Sequence, residues 1–114
     1  MNMLYDKMNV GCVVYKKDVN TGKLFADWKF EYQGNCATGR GIGIGPIGND
    51  YKGKYSIIYY NEQGESNGEY LLTITNDNKI YKLEWYQDEI MKCYGIGMMH
   101  DDLLIAGWIK TSII

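Results

Sequence analysis

The sequence predicts an all-β fold: an antiparallel meander of about eight short strands closed, or nearly closed, into a barrel. Three observations carry this. Strand-like segments recur every 11 to 16 residues along the chain. The connections between them are short and rich in Gly, Asn and Asp, which turn a backbone tightly, so neighbouring strands should pair antiparallel. Within the segments, apolar and polar side chains alternate with the period of two that gives a strand one buried and one solvated face. Closure is the simplest end state, because a barrel leaves no unpaired edge. The length of 114 residues suits one domain, 1–114.

The first strand is expected over 10–17, ending at the turn Asn20-Thr21-Gly22. The second, 24–32, places Leu24, Ala26, Trp28, Phe30 and Tyr32 on one face and Phe25, Asp27, Lys29 and Glu31 on the other. After Gly34-Asn35 comes the third, 37–45, with Gly39, Gly41, Gly43 and Gly45 on one face. Glycine weakens strands, so this row implies sharp coiling at closure or the close approach of a bulky neighbour or ligand ring. Its other face, Thr38, Arg40, Ile42 and Ile44, is expected to point inward. Gly48-Asn49-Asp50 leads to the fourth strand, 53–60, and Gln63-Gly64-Glu65 to the fifth, 68–75, with Tyr70, Leu72 and Ile74 inward. Asn76-Asp77-Asn78 precedes the sixth, 79–86, with Tyr81, Leu83 and Trp85 inward. The one helical signal is a short turn over 86–91. The seventh strand, 92–99, repeats the glycine device in Gly95 and Gly97, with Tyr94, Ile96 and Met98 opposite. His100-Asp101-Asp102 turns into the eighth, 103–110.

Residues 55–60 and 103–109 are apolar on both faces. Such a strand covers a core with one face and something else with the other. The N-terminal segment, the Ile113-Ile114 tail or a second subunit are the candidate covers, and a homodimer through 53–60 or 103–110 is an expectation. Glycines and aromatics also recur: Gly11, Gly22 and Trp28 reappear 42 residues later as Gly53, Gly64 and Tyr70. Gly41 and Gly53 reappear 54 residues later as Gly95 and Gly107. A diverged duplication and chance matching of hairpin glycines both account for this.

Composition narrows the function classes. The formal charge of −2 and the pairs Lys16-Lys17 and Lys52, Lys54 give no basic stripe, which disfavours a nucleic-acid polymer as partner. The longest apolar run, Leu103 to Ile109, is far too short for a spanning helix, so no membrane partner is expected. The start lacks the basic head and apolar run of a signal peptide. The three cysteines are odd in number and show no metal-ligand spacing. A cytoplasmic setting with reduced thiols is the expectation, with no cofactor and no metal.

Gly43-Ile44-Gly45-Pro46-Ile47-Gly48 is a literal GxGxxG. No helix or βαβ unit follows it, so it is not expected to hold a dinucleotide. His100, the single histidine, sits in a turn beside Asp101 and Asp102, where adjacent residues cannot face one ion. No nucleophile–base pair is supported, and Glu31, Glu69 and Glu84 face outward, so an enzyme is not expected.

Gly53-Lys54-Tyr55, Gly64, Tyr70, Tyr81-Lys82-Leu83-Glu84-Trp85, Gly95-Ile96-Gly97, Leu104 and Gly107-Trp108 together resemble the small bacterial lipocalin-like (calycin-type) barrels over residues 53–108. Lipocalins proper carry Gly-x-Trp on the first strand, where this chain has Gly11-Cys12-Val13. The resemblance implies binding of a small, partly apolar ligand inside the barrel. The residues expected to line that site are Trp28, Tyr32, Arg40, Tyr70, Tyr81, Trp85, Tyr94 and Trp108. The aromatics would enclose a ring, and Arg40 would grip an anionic group. The expected function is therefore non-enzymatic binding or sequestration of a small molecule. A structural or interaction module acting through a homo-oligomer interface is the alternative.

Overall fold

A computed structural model describes residues 9–111, and all of its regular structure is strand. Eight strands run in order: β1 (Asn9–Lys17), β2 (Lys23–Tyr32), β3 (Asn35–Ile44), β4 (Gly53–Asn61), β5 (Ser66–Asp77), β6 (Ile80–Gln87), β7 (Ile90–His100) and β8 (Leu103–Lys110). Each pairs antiparallel with its neighbours in sequence, and β8 closes on β1. The expected meander is observed, and it is a closed barrel. The N-terminal segment and the Ile113-Ile114 tail, both candidate covers, lie outside the described residues.

The expected helical turn at 86–91 is instead a hairpin turn. Asp88 and Glu89 have φ of 50° and 66°. Two left-handed residues in succession make the primed turn whose twist matches antiparallel strands. Gln33-Gly34 and Asn78-Lys79 close their hairpins the same way.

Alternation sorts the faces on every strand. The interior holds Val13 and Tyr15 of β1, Leu24, Ala26 and Trp28 of β2, Tyr55 and Ile57 of β4, and Leu72 and Ile74 of β5. Leu83 and Trp85 of β6, Cys93 of β7, and Leu104 and Ala106 of β8 complete it. Burying a side chain of this kind is worth about 1.5–3 kcal/mol each, so the interior is the main source of stability.

On β3 the expected orientation is reversed. Gly41 and Gly43 are buried, whereas Ile42 and Ile44 are half exposed. The reason is space. A Cβ on Gly39 would meet the Trp28 ring at 2.5 Å, and one on Gly41 would meet the Tyr59 ring at 2.7 Å. Side chains of β2 and β4 lie flat over the β3 backbone and fill the volume that β3 side chains would need. Gly95 lies likewise against Trp108 and Trp85. Of the recurring glycine pairs, Gly41 and Gly95 both face inward, but Gly53 and Gly107 lie on opposite faces of the wall.

The two ends of the barrel differ. At one end the β3–β4 connection folds across the opening. Tyr51 is buried there, and its hydroxyl donates to the Asp102 carbonyl (2.6 Å) and accepts from the Lys17 amide (3.1 Å). The Tyr55 hydroxyl donates to the Tyr51 carbonyl at 2.9 Å, and Lys17 Nζ donates to the Asp50 carbonyl at 2.6 Å. This is the segment containing the GxGxxG motif, and it serves as a plug. The opposite end carries the β2–β3, β4–β5 and β6–β7 turns and has no such cover among the described residues.

Candidate functional site

Behind the end that carries the β2–β3, β4–β5 and β6–β7 turns lies a cavity of about 420 Å³. That volume is in the range of sites for small organic ligands. Its lining is chiefly apolar and aromatic: Trp28, Phe30, Tyr59, Tyr70, Trp85 and Trp108, with Val13, Tyr15, Ala37, Asn67, Cys93 and Lys110. All three tryptophans of the chain are among these residues.

The glycine rows set the shape. Trp28 lies over Gly39, with its indole N–H donating to the Arg40 carbonyl at 3.1 Å. Trp108 lies over Gly11 and against Gly95. Side chains that flatten against the wall leave the middle open. Register shifts follow Tyr59 on β4 and Trp85 on β6, and such bulges re-aim side chains at a barrel rim.

At the mouth, the rings of Phe30 and Trp108 are stacked, with centroids 4.5 Å apart and planes 11° apart. Tyr32 stacks on the outer side of Phe30 at 6.2 Å. Lys110 Nζ lies 4.9 Å from the Phe30 centroid and 5.7 Å from that of Tyr32. Lys110 is the one charged residue of the lining, and it forms no ion pair with a carboxylate among the described residues.

Deeper in, Trp85 Nε1–H donates to the Tyr59 hydroxyl at 2.8 Å, and the Tyr59 and Tyr15 hydroxyls share a hydrogen bond of 2.5 Å. Tyr70 meets Tyr59 edge-on at 5.7 Å. Burial holds the Tyr15 and Tyr59 phenols well above the ordinary tyrosine value, and it pushes the Cys93 thiol up to about 11. At neutral pH these groups are therefore uncharged, and the thiol is no nucleophile.

Four of the expected site residues, Trp28, Tyr70, Trp85 and Trp108, line this cavity together. Tyr32 stands at its rim through the Phe30 stack. Tyr81 packs against the core toward the plugged end, next to Asn76 and Gly97. Two residues lie outside the barrel. Arg40 faces solvent, 84% exposed, with Nε 3.6 Å from Asp27. Tyr94 shares the outer face with Ile96 and Met98, because its neighbours Cys93 and Gly95 take the inner one. Both corrections follow from glycine holding the inner face.

Sequence reasoning missed Tyr15, Tyr59, Phe30 and Lys110 as a group. Phe30 was legible from alternation, and Lys110 from its place two residues after Trp108. Tyr59 sat in a run apolar on both faces, where alternation gives no direction. Among the described residues no group of three His, Cys, Asp or Glu side chains is placed to hold a metal ion.

The closed eight-stranded meander is consistent with a lipocalin-like fold. No family model matches the chain, and neither the curated proteins nor the solved structures contain a match.

Proposed function

We propose that the chain is a lipocalin-like, non-enzymatic binder that holds a small planar aromatic molecule in its lumen. The observation that carries this reading is the open cavity of about 420 Å³, walled by flat aromatic faces with Lys110 at its rim. Rings stacked on Phe30 and Trp108 would gain contact beyond their area burial. Lys110 favours an anionic group at the outer end of the ligand, the role sequence reasoning gave to Arg40. Burial keeps the interior phenols and thiol protonated, which suits them to hold a ligand by hydrogen bonds. Free Cys12, Cys36 and Cys93 suit a reducing compartment such as the cytoplasm.

A thermal-shift titration with naphthalene-2-carboxylate tests the reading. A ligand at one hundred times its Kd stabilises by about 2.7 kcal/mol, which raises the melting temperature by on the order of 10 °C. The neutral carboxamide should bind more weakly, and Lys110→Ala should erase that difference. No shift with either compound would refute the proposal.

A second reading, assembly with another copy of the chain, rests on the outer face of β7, β8 and β1. Val10, Cys12 and Val14, Ile105, Gly107 and Ile109, and Tyr94, Ile96 and Met98 form one surface without a charged side chain, bounded by Lys16 and His100 at one end and Lys92 at the other. Ile96 and Met98 are 54% and 63% exposed. The flanking rows alternate in sign, Asp27, Lys29 and Glu31 on β2 and Lys82 and Glu84 on β6. A second copy set one side-chain step along the strands would oppose each lysine with a carboxylate. The two readings are compatible, since the face and the lumen lie on opposite sides of the wall.

A further inference from the structure

The hydrogen-bond chain inside the lumen has one proton more than it has hydrogen bonds. Trp85 Nε1–H donates to the Tyr59 oxygen. Between the Tyr59 and Tyr15 oxygens there is a single hydrogen bond, and only one of the two hydroxyl protons can occupy it. Tyr15 is fully buried, at 0% exposure, and Tyr59 is its one hydroxyl partner among the described residues. A buried donor left without an acceptor costs its full desolvation penalty. Either hydroxyl can supply that proton, and the other then keeps an O–H with no acceptor in the network. In either case the spare O–H belongs to a residue of the cavity lining, because Tyr15 and Tyr59 both line it.

From this accounting, and resting on the lumen as the binding site, we infer that the ligand carries a neutral hydrogen-bond acceptor at its inner end, a ring nitrogen or a carbonyl oxygen, which takes the spare proton of the Tyr15–Tyr59 pair. Neutrality follows from the lining. The single cation of the described lining, Lys110, is at the mouth, and an anion at the floor would find no opposite charge there. The ligand is thus polar at both ends in different ways. An acceptor without charge goes in first, a flat ring fills the middle, and an anionic group remains by Lys110. A cavity that presents a fixed donor rejects analogues lacking the matching acceptor, because the donor is then stranded.

A matched pair of probes tests this on the full chain. Quinoline-6-carboxylate differs from naphthalene-2-carboxylate by one ring CH replaced by N, with size, shape and charge kept. Calorimetric titration should show the quinoline compound binding at least tenfold more tightly. Replacing both hydroxyls, Tyr15→Phe with Tyr59→Phe, should bring the two affinities together, chiefly by weakening the quinoline. Should that variant fold poorly, the wild-type comparison alone decides. Equal affinities for the two acids would overturn the inference while leaving lumen binding in place. Binding of neither acid would overturn the lumen reading itself, and this inference with it.

Discussion

At the scale of single residues, the interior is stabilised by groups that must stay protonated. Burial pushes the Tyr55 phenol up to about 12 and the Cys93 thiol up to about 11, and it raises Tyr15 and Tyr59 as well. Unfolded, these groups would titrate near 10 and near 9. A raised folded-state value means that the native protein holds its proton more tightly than the unfolded chain does. That stabilisation is fully present below pH 9 and is lost as pH climbs through 11 and 12. The urea midpoint should therefore fall steadily across this alkaline window, with phenolate absorbance appearing together with unfolding. A midpoint flat to pH 12 would show these side chains to be solvated. The same scale explains the error over Arg40. Sequence alternation reveals two faces on 37–45 but not their direction. Ile42 and Ile44 looked like core, and nothing local reveals that Trp28 and Tyr59 already occupy that space.

At the scale of elements, the strands and their turns were largely legible. The second and sixth strands show strict alternation, and the Gly and Asn clusters locate their ends. The hairpin at Asp88-Glu89 was not legible, since neither residue advertises a left-handed conformation and Tyr86 to Met91 reads equally well as one helical turn. The lumen was half legible. Trp28, Tyr70, Trp85 and Trp108 could be found from strand parity, whereas the Tyr15–Tyr59–Trp85 chain joins β1, β4 and β6 and depends on closure of the barrel. The doubly apolar β8 raises the expectation of an outer cover, and its outer face is continuous with those of β7 and β1. Light scattering should report a mass near twice 13.1 kDa at micromolar concentration. Met98→Lys with Ile105→Lys should return it to the monomer value, while Ile42→Lys, on the outer face of β3, should leave the dimer intact. A wild-type monomer would rule out this interface.

At the scale of the whole molecule, the barrel is built as a cup. One end is plugged by the β3–β4 connection through Tyr51, Tyr55 and Lys17. The other end is lined by the Phe30–Trp108 stack and Lys110. Glycine rows on β3 and β7 let large rings lie against the wall rather than across the middle. A fold meant only to be stable would gain more by filling that space, since each uncollapsed void forfeits packing energy. The central claim is that the space is reserved for a ligand. Tryptophan emission tests it most directly, because every tryptophan of the chain, Trp28, Trp85 and Trp108, lines the cavity. Titration with quinoline-6-carboxylate should change that emission saturably, with one ligand per chain, and Trp108→Ala should weaken the binding. Emission that stays unchanged, or that responds only linearly as in collisional quenching by free solute, would contradict the account.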